Sequence, residues 1–589
     1  MTKDRKKSSF RRLALLMLPY WRLLLFCALC VILVNAAELL KPYILKVLID
    51  DFLTGGQTPS GLHSPAGLSV LYFLAVALGA VAALLQARLI NRVGQDILHN
   101  LRVKIFSRIH RMRLSALDRY GTGRLITRAT NDVETLDEFY SDVLVNLFRD
   151  VLLLIGIVTV MLYMDAGLAL VGFAAVPLIV LTTLIVKKFL KRNFAKMKAL
   201  IGKINGFFAE NMAGMRIVQA FNRQKEKLLE FKELNKKYFK TTMLQVTMNS
   251  VLRPIMEVIN SLAIALLIAY GYNRISGGLL EIGVLYAFTT YIKQFFDPIN
   301  DLAEKYTTIQ SALVSADRIY ELMDDPEPPE DLEGGTHGGP VLGRVEFRNV
   351  WFAYEGEDWV LRDVSFRVDI GKRVAFVGAT GAGKTTIINL ISRFYEPNRG
   401  EILVDGVNLK DWKLGELRRG VAVVLQDVVL FSGTIADNIR VNAEMADEDV
   451  IDALRQSMAL EFVMEQPGCL EASVAERGAT FSTGERQLLA FARAIAHAPA
   501  ILVLDEATAN IDTVTEQKIQ ASIESISKDR TTIFIAHRLS TIRNCDCIFV
   551  LQKGQIVESG SHGELMEQCG LYTKLYNAQF EELENGAAC

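Results

Sequence analysis

Gly378-Ala-Thr-Gly-Ala-Gly-Lys-Thr-Thr386 is the stretch whose reading decides the fold. It fits the phosphate-binding pattern G-x-x-x-x-G-K-[ST] at Gly378, Gly383, Lys384 and Thr385. The run before it, RVAFV, reads as a short buried strand, and IINLISRF after it reads as a helix. In that strand–loop–helix setting the glycines let backbone N–H groups turn inward around phosphate oxygens. The start of the helix adds its dipole to the same spot. Lys384 is expected to reach the β- and γ-phosphates, and Thr385 to hold Mg²⁺. The neighbouring Thr380, Gly381 and Thr386 complete the candidate phosphate contacts.

Downstream, Ile501-Leu-Val-Leu-Asp505-Glu506 is a buried strand that ends in two acids. Ligands of open parallel sheets lie at such strand ends. The pair allows a division of labour: Asp505 in the Mg²⁺ shell, and Glu506 orienting and deprotonating a water. A second apolar run, Thr531–Ala536, ends in His537, which is placed to contact a terminal phosphate. The linear order points to a soluble α/β part beginning near residue 344.

Ahead of it the composition changes. The chain is 51% hydrophobic with net charge −1, and its apolar residues concentrate in the first half. A balance near zero gives no reason to expect nucleic acid as a partner. Six apolar stretches are near the ~20 residues a helical span needs. They are Leu23–Leu40, Leu68–Ile90, Val151–Met164 (extended back to about Leu144), Ala166–Val186, Ile255–Tyr272 and Gly283–Asn300. Met164-Asp165-Ala166 reads as the turn between the third and fourth. Lysine and arginine crowd the segments before span one, between two and three, and between four and five, whereas the alternate loops are nearly free of them. That asymmetry places both termini and the phosphate loop in the cytoplasm of a multi-pass protein of the cell (inner) membrane. Val93–Leu117 and Lys187–Met212 lack proline and read as spans running on as helices.

Ionisable residues inside spans are costly and face protein or water. Lys293, Asp297, Asn300 and Glu304 share one face of span six, and Arg253, Glu257 and Asn260 do the same in span five. A polar path for cargo and mutually neutralising pairs, such as Lys293 with Asp297, remain equal readings. Glu38 and Lys41 lie in span one. Cys27-x-x-Cys30 has metal-like spacing without a second pair, so packing is the better reading. After Met323, Asp324-Asp-Pro-Glu-Pro-Pro-Glu-Asp331 breaks the helical pattern and proline and glycine recur up to Gly343. The expected organisation is therefore a membrane domain over residues 1–323, a linker over 324–343 and a nucleotide-binding domain over 344–589.

Taken together the motifs resemble the ATP-binding-cassette (ABC) transporters, closest to exporter half-transporters of the multidrug and lipid type. The likeness covers nearly the whole chain. It implies an all-α six-helix transmembrane domain fused to a P-loop α/β domain with an antiparallel β subdomain and a helical subdomain. By that resemblance Tyr354, in VWFAY, stacks on adenine, and Gln426, in VVLQD, links Mg²⁺ to the membrane half. Phe481-Ser-Thr-Gly-Glu-Arg-Gln487 sits where the family signature LSGGQRQ belongs, so Ser482 and Gly484 would face a partner chain's ATP. Ser473–Gly478 resembles the exporter loop that touches the cytoplasmic helices, and Ala509–Asp512 the loop that crosses to the partner. Glu506, His537, Gln426 and Lys384 would be the catalytic set; Thr385, Gln426 and Asp505 would be the metal ligands. Short coupling helices are expected near Ser115–Tyr120 and Ala209–Met215.

The signature departs from the family pattern at Phe481, Thr483 and Glu485. Thr483 puts a β-branched side chain where backbone should approach phosphate closely. Glu485 adds negative charge near a triphosphate, which is repulsive unless paired. A complete catalytic half-site beside an altered signature is the pattern of one subunit of a heterodimeric exporter, with a tolerant homodimer as the alternative. The expected function is ATP-driven export or flipping of an amphipathic small molecule or lipid. An ATP-gated channel or sensor without coupled pumping is the competing class.

Overall fold

The computed structural model describes residues 3–54, 64–505, 513–528, 530–535 and 542–586. The chain divides into two compact units: residues 1–107 with 123–325, and residues 108–122 with 326–589.

The first unit is helical. Its elements are α1 (Lys3–Leu15), α2 (Trp21–Leu48), α3 (Pro65–His110), then after the short α4 (Leu114–Tyr120), α5 (Thr122–Ala129), α6 (Asn131–Glu138) and α7 (Leu144–Met164). These are followed by α8 (Ala166–Phe173), α9 (Val176–Ala213), α10 (Met215–Ala220), α11 (Gln224–Ser276) and α12 (Ile282–Met323). At 1.5 Å per residue, α3 with its 46 residues is about 70 Å long and α11 with 53 about 80 Å. A bilayer core is about 30 Å thick, so each helix continues far beyond it. Among the described residues four helical stretches are long and apolar enough to cross a membrane: Ser9–Phe52, Pro65–His110, Thr122–Met164 and Pro254–Ser276.

Two expected spans look different. The stretch Ala166–Val186 is split between α8 and α9 at residues 174–175. Pro177, in the first turn of α9, is a residue that opens a helix, having no N–H to give to the turn before it. The sixth stretch, within α12, is diluted by Lys293, Gln294, Asp297 and Asn300. The turn at Asp165 has a clear cause: the residue is extended, and its carboxylate caps α8 by accepting from the Leu168 N–H at 2.8 Å. It also pairs with Arg274 at 3.3 Å. Asp165→Ala is expected to cost about 1 kcal/mol, the usual value of such a cap, read as a lowered unfolding midpoint in detergent.

The unit's apolar core gathers Ile157, Met161, Leu267, Phe288, Tyr291 and Ile292 from α7, α11 and α12. Tyr291 donates its hydroxyl to the Leu39 carbonyl at 2.6 Å, tying α12 to α2.

The second unit is built on two main sheets. The strands are β1 (Val345–Ala353), β2 (Trp359–Val368), β3 (Arg373–Val377), β4 (Arg399–Val404), β5 (Val407–Asn408), β6 (Val421–Val424), β7 (Gly433–Thr434), β8 (Ser473–Val474), β9 (Ile501–Asp505), β10 (Thr531–Ile535), β11 (Cys547–Gln552) and β12 (Gln555–Gly560). The helices are α13 (Lys384–Ile391), α14 (Leu414–Gly420), α15 (Ile435–Arg440), α16 (Asp447–Gln456), α17 (Leu460–Glu465), α18 (Thr483–Ala496), α19 (Thr513–Ile526), α20 (His562–Glu567) and α21 (Leu571–Gly586). One sheet has the order β2-β1-β4-β5 and is antiparallel; the other has the order β12-β11-β3-β10-β9-β6 and is parallel except for β12.

The burial pattern follows from the period of two along a strand. Phe376, Ile533, Val503 and Ile501 face the antiparallel sheet, where Phe347, Val350 and Phe366 meet them. The alternate residues Ala375, Phe534, Leu502 and Leu504 face α18 and the small helices α15 to α17. The central strands are thus apolar on both faces, which is why they read as continuous hydrophobic runs.

Candidate nucleotide site

β3 delivers the phosphate loop, and α13 begins at Lys384. Gly383 caps that helix with φ 103°. A Cβ there would stand 2.7 Å from Leu361 Cδ2, and one on Gly378 would stand 2.3 Å from the Leu551 carbonyl oxygen. Both positions therefore need glycine. Gly381 also has positive φ, but a Cβ there would meet nothing within 4 Å, so it borders open space. Lys384 is 6% exposed, and its ammonium donates to the Gly378 carbonyl, folding over the loop. Thr380 and Thr385 are exposed. Thr386 is buried, and its hydroxyl lies 3.1 Å from the Tyr354 hydroxyl.

β3, β10, β9 and β6 are parallel, so their C-terminal ends share one edge. Asp505 ends β9, two strand spacings or about 10 Å from β3. Gln426 is exposed two residues beyond the end of β6, one spacing further. The sheet order thus brings the loop, the carboxylate and the amide to one rim. Thr385, Asp505 and Gln426 offer only oxygen donors, the set suited to Mg²⁺, which takes one or two protein carboxylates and fills its shell with phosphate and water. Among the described residues no group of three or more His, Cys, Asp or Glu is arranged to hold a metal. Glu506, His537 and the Ala509–Asp512 loop lie outside the described residues.

Tyr354 follows β1 and is 45% exposed. Asn389 on α13 donates to its hydroxyl at 3.2 Å. Its ring makes T-shaped contacts with Phe352, centroids 4.8 Å apart, and Tyr395, 5.0 Å apart. At 45% exposure it keeps area free for stacking.

The signature segment opens α18. Ser482 is the N-cap: its hydroxyl accepts from the Glu485 N–H at 3.2 Å, and the Glu485 carboxylate accepts from the Ser482 N–H at 2.7 Å. This reciprocal cap is the S-x-x-E arrangement. Glu485 is thus hydrogen-bonded to the start of its own helix. Thr483 is exposed, and Arg486 donates to its hydroxyl at 3.2 Å. Phe481 is 5% exposed within the helical subdomain core, and Gly484 is buried. In the Ser473–Gly478 segment, β8 pairs with β7.

Several functional contacts were not foreseen from sequence. The α4 helix belongs to the same compact unit as the nucleotide site. Tyr395 donates its hydroxyl to Asp118 on α4. Glu327 accepts from Ser115 and pairs with Arg119 at 3.5 Å, and Glu330 accepts from both terminal guanidinium nitrogens of Arg418 at 2.7 and 2.9 Å. α4 spans the first stretch expected to hold a short helix; at the second, Ala209–Met215, the long helix α9 instead runs on to Ala213 and the short helix α10 follows at Met215–Ala220.

In the membrane unit Lys293, Asp297 and Glu257 are exposed, and Asn260 is half-buried. The side chains of Arg253, Asn300 and Glu304 lie outside the described residues. Glu38 and Lys41 pair. A buried pair not foreseen from sequence joins Lys305 to Asp150, which is 3% exposed.

A helical membrane unit joined to an α/β unit with this loop, strand rim and signature helix defines an ABC exporter. Residues 24–299 match the family model for the ABC transporter transmembrane region, and residues 361–509 match the family model described as ABC transporter. The chain is 38% identical over 98% of both lengths to the putative ABC transporter ATP-binding protein exp8 of Streptococcus pneumoniae. It is 40% identical, over 84% of this chain and 74% of the other, to the probable multidrug resistance ABC transporter ATP-binding/permease protein YheH of Bacillus subtilis. The solved structure of a bacterial Atm1-family ABC exporter with ATP bound superposes with a TM-score of 0.78 at 30% identity, covering 95% of this chain and 98% of that one. The chain belongs to the ABC transporters, as an exporter with fused membrane and nucleotide-binding parts. It binds ATP, and it is an ATPase coupled to transmembrane transport.

Proposed function

We propose that this chain exports or flips an amphipathic small molecule or lipid across the cytoplasmic membrane, as one half of a heterodimer. Residues 1–323 form the membrane domain, 324–343 the linker and 344–589 the nucleotide-binding domain, with both termini in the cytoplasm. The observation that carries the reading is the common rim of β3, β9 and β6, which gathers Lys384, Asp505 and Gln426.

In this reading Tyr354 takes the adenine and the loop from Gly378 to Thr386 wraps the phosphates. Lys384 leaves the Gly378 carbonyl for the β- and γ-oxygens. Thr385, Asp505 and Gln426 hold Mg²⁺, which, when bound, neutralises charge growing on the β- and γ-phosphates. Glu506 orients and deprotonates the attacking water, and His537 contacts the terminal phosphate. Ser482 and Gly484 face the ATP held by the partner chain. ABC exporters work as dimers, and each nucleotide needs both chains.

The heterodimer rests on the signature. Thr483 adds a branched side chain at the start of α18, and Glu485 already occupies the Ser482 N–H. Both features weaken α18 as a seat for a partner's phosphate. The chain expressed alone in liposomes is therefore expected to turn over Mg-ATP at least about 10-fold more slowly than when paired with its natural partner. Thr483→Gly combined with Glu485→Gln should raise the lone chain's rate. Vigorous turnover by the unaltered lone chain would count for the homodimer.

A further inference from the structure

We propose that Tyr395 is a positioning residue that transmits occupancy of the Tyr354 base platform to helix α4, so that the nucleobase, and not the phosphates alone, sets the state of α4. The proposal rests on the reading of Tyr354 as the adenine platform and adds a route that leads away from it.

The route is continuous. The Tyr354 hydroxyl is held by Thr386 and Asn389, both on the helix that starts with Lys384. The rings of Tyr354 and Tyr395 meet edge to face, 5.0 Å apart at 88°. The Tyr395 hydroxyl donates to the carboxylate of Asp118 on α4. Tyr395 does not float on its loop. Arg393 just before it adopts φ 50° and donates to the Trp412 carbonyl at 2.9 Å, which fixes the turn. Burial and the Asp118 carboxylate push the Tyr395 phenol up, so it stays a donor across the physiological range.

Two further features argue that the contact is more than packing. Asp118 lies in the last turn of α4, where a helix dipole disfavours an acid. Its carboxylate is therefore there at the helix's expense, and what it gains is a charge-assisted hydrogen bond. In addition, a cavity of about 790 Å³ lies beside this contact, lined by Tyr354, Tyr395, Arg119 and Glu327 among others. Open volume on that side gives α4 room to shift when the aromatic pair moves.

Hydrogen–deuterium exchange on the full chain in lipid nanodiscs tests the proposal. Amides 379–387 report phosphate binding and amides 114–120 report α4. The probes are a non-hydrolysable ATP analogue and inorganic tripolyphosphate. The analogue should slow exchange in both segments, by about fivefold in α4, while tripolyphosphate should slow the phosphate loop alone. In Tyr395→Phe, which keeps the ring and loses the donor, and in Asp118→Ala, the loop should still respond and α4 should not. Asp118→Asn, which keeps an acceptor oxygen, should restore the response of α4. The proposal is overturned if α4 does not respond to the analogue, if it responds equally to tripolyphosphate, or if both Tyr395→Phe and Asp118→Ala leave its response intact. If amides 379–387 respond to neither probe, the nucleotide-site reading fails and takes this proposal with it.

Discussion

Lys384→Ala is expected to lower ATP turnover by about 10²–10³-fold, the usual cost of removing one preorganised group that stabilises transition-state charge. The reason lies in how the side chain is held. Its stem is buried along α13 and its ammonium already stands over the loop at the Gly378 carbonyl. Moving to a phosphate oxygen therefore needs little reorganisation. No other cation is presented by the loop, whose remaining side chains are Ala379, Thr380, Ala382, Thr385 and Thr386. Arginine should not rescue the rate, because its planar fork cannot take the place of a compact ammonium under a loop closed at Gly378 and Gly383. Steady-state ATPase assays in proteoliposomes, alongside thermal unfolding to confirm the fold, provide the check. Unchanged nucleotide affinity and turnover would remove the basis for the whole functional reading.

The second large effect is expected at Glu506. Glu506→Gln should reduce turnover by about 10²-fold or more, within the range a general base supplies, while leaving ATP binding intact. The argument is from sequence order: β9 ends in Asp505 at the shared rim, and Glu506 is the next residue in the chain. Gln keeps the size and one acceptor oxygen and loses the basic carboxylate. A pump should stop moving cargo when the base is lost. A nucleotide-gated channel should still open, because opening by binding needs no water-activating group. Flux of a fluorescent amphiphile in vesicles loaded with ATP separates the two, and persistent flux in the Gln variant would favour the channel.

How much of this was legible in the sequence depends on the range of the interactions concerned. The phosphate loop and β9 are legible because their local pattern and their burial agree: short apolar runs buried on both faces, closed by Gly378 after β3 and by Asp505 in β9. The turn at Asp165 is equally local. The split of the fourth apolar stretch at residues 174–175 was not legible from hydropathy, since Pro177 sits in a first turn where it interrupts nothing on its own terms. The pairing of Glu485 with Ser482 carries the local S-x-x-E pattern, but the same carboxylate reads equally as a bare charge beside phosphate. Contacts joining distant segments could not be read at all. Asp118 and Tyr395 are 277 positions apart, and Lys305 and Asp150 are 155 apart. Nothing in the composition around either residue names its partner.

The grouping of residues 108–122 with the ATPase body has a practical consequence for dissection. A soluble fragment begun at residue 344 would be cut away from Asp118, Glu327 and Glu330. It would leave the Tyr395 phenol and the Arg418 guanidinium facing solvent where each now has a carboxylate. Kinetics measured on such a truncation would describe a damaged body, and any difference from the intact polypeptide would be misread as control by the membrane.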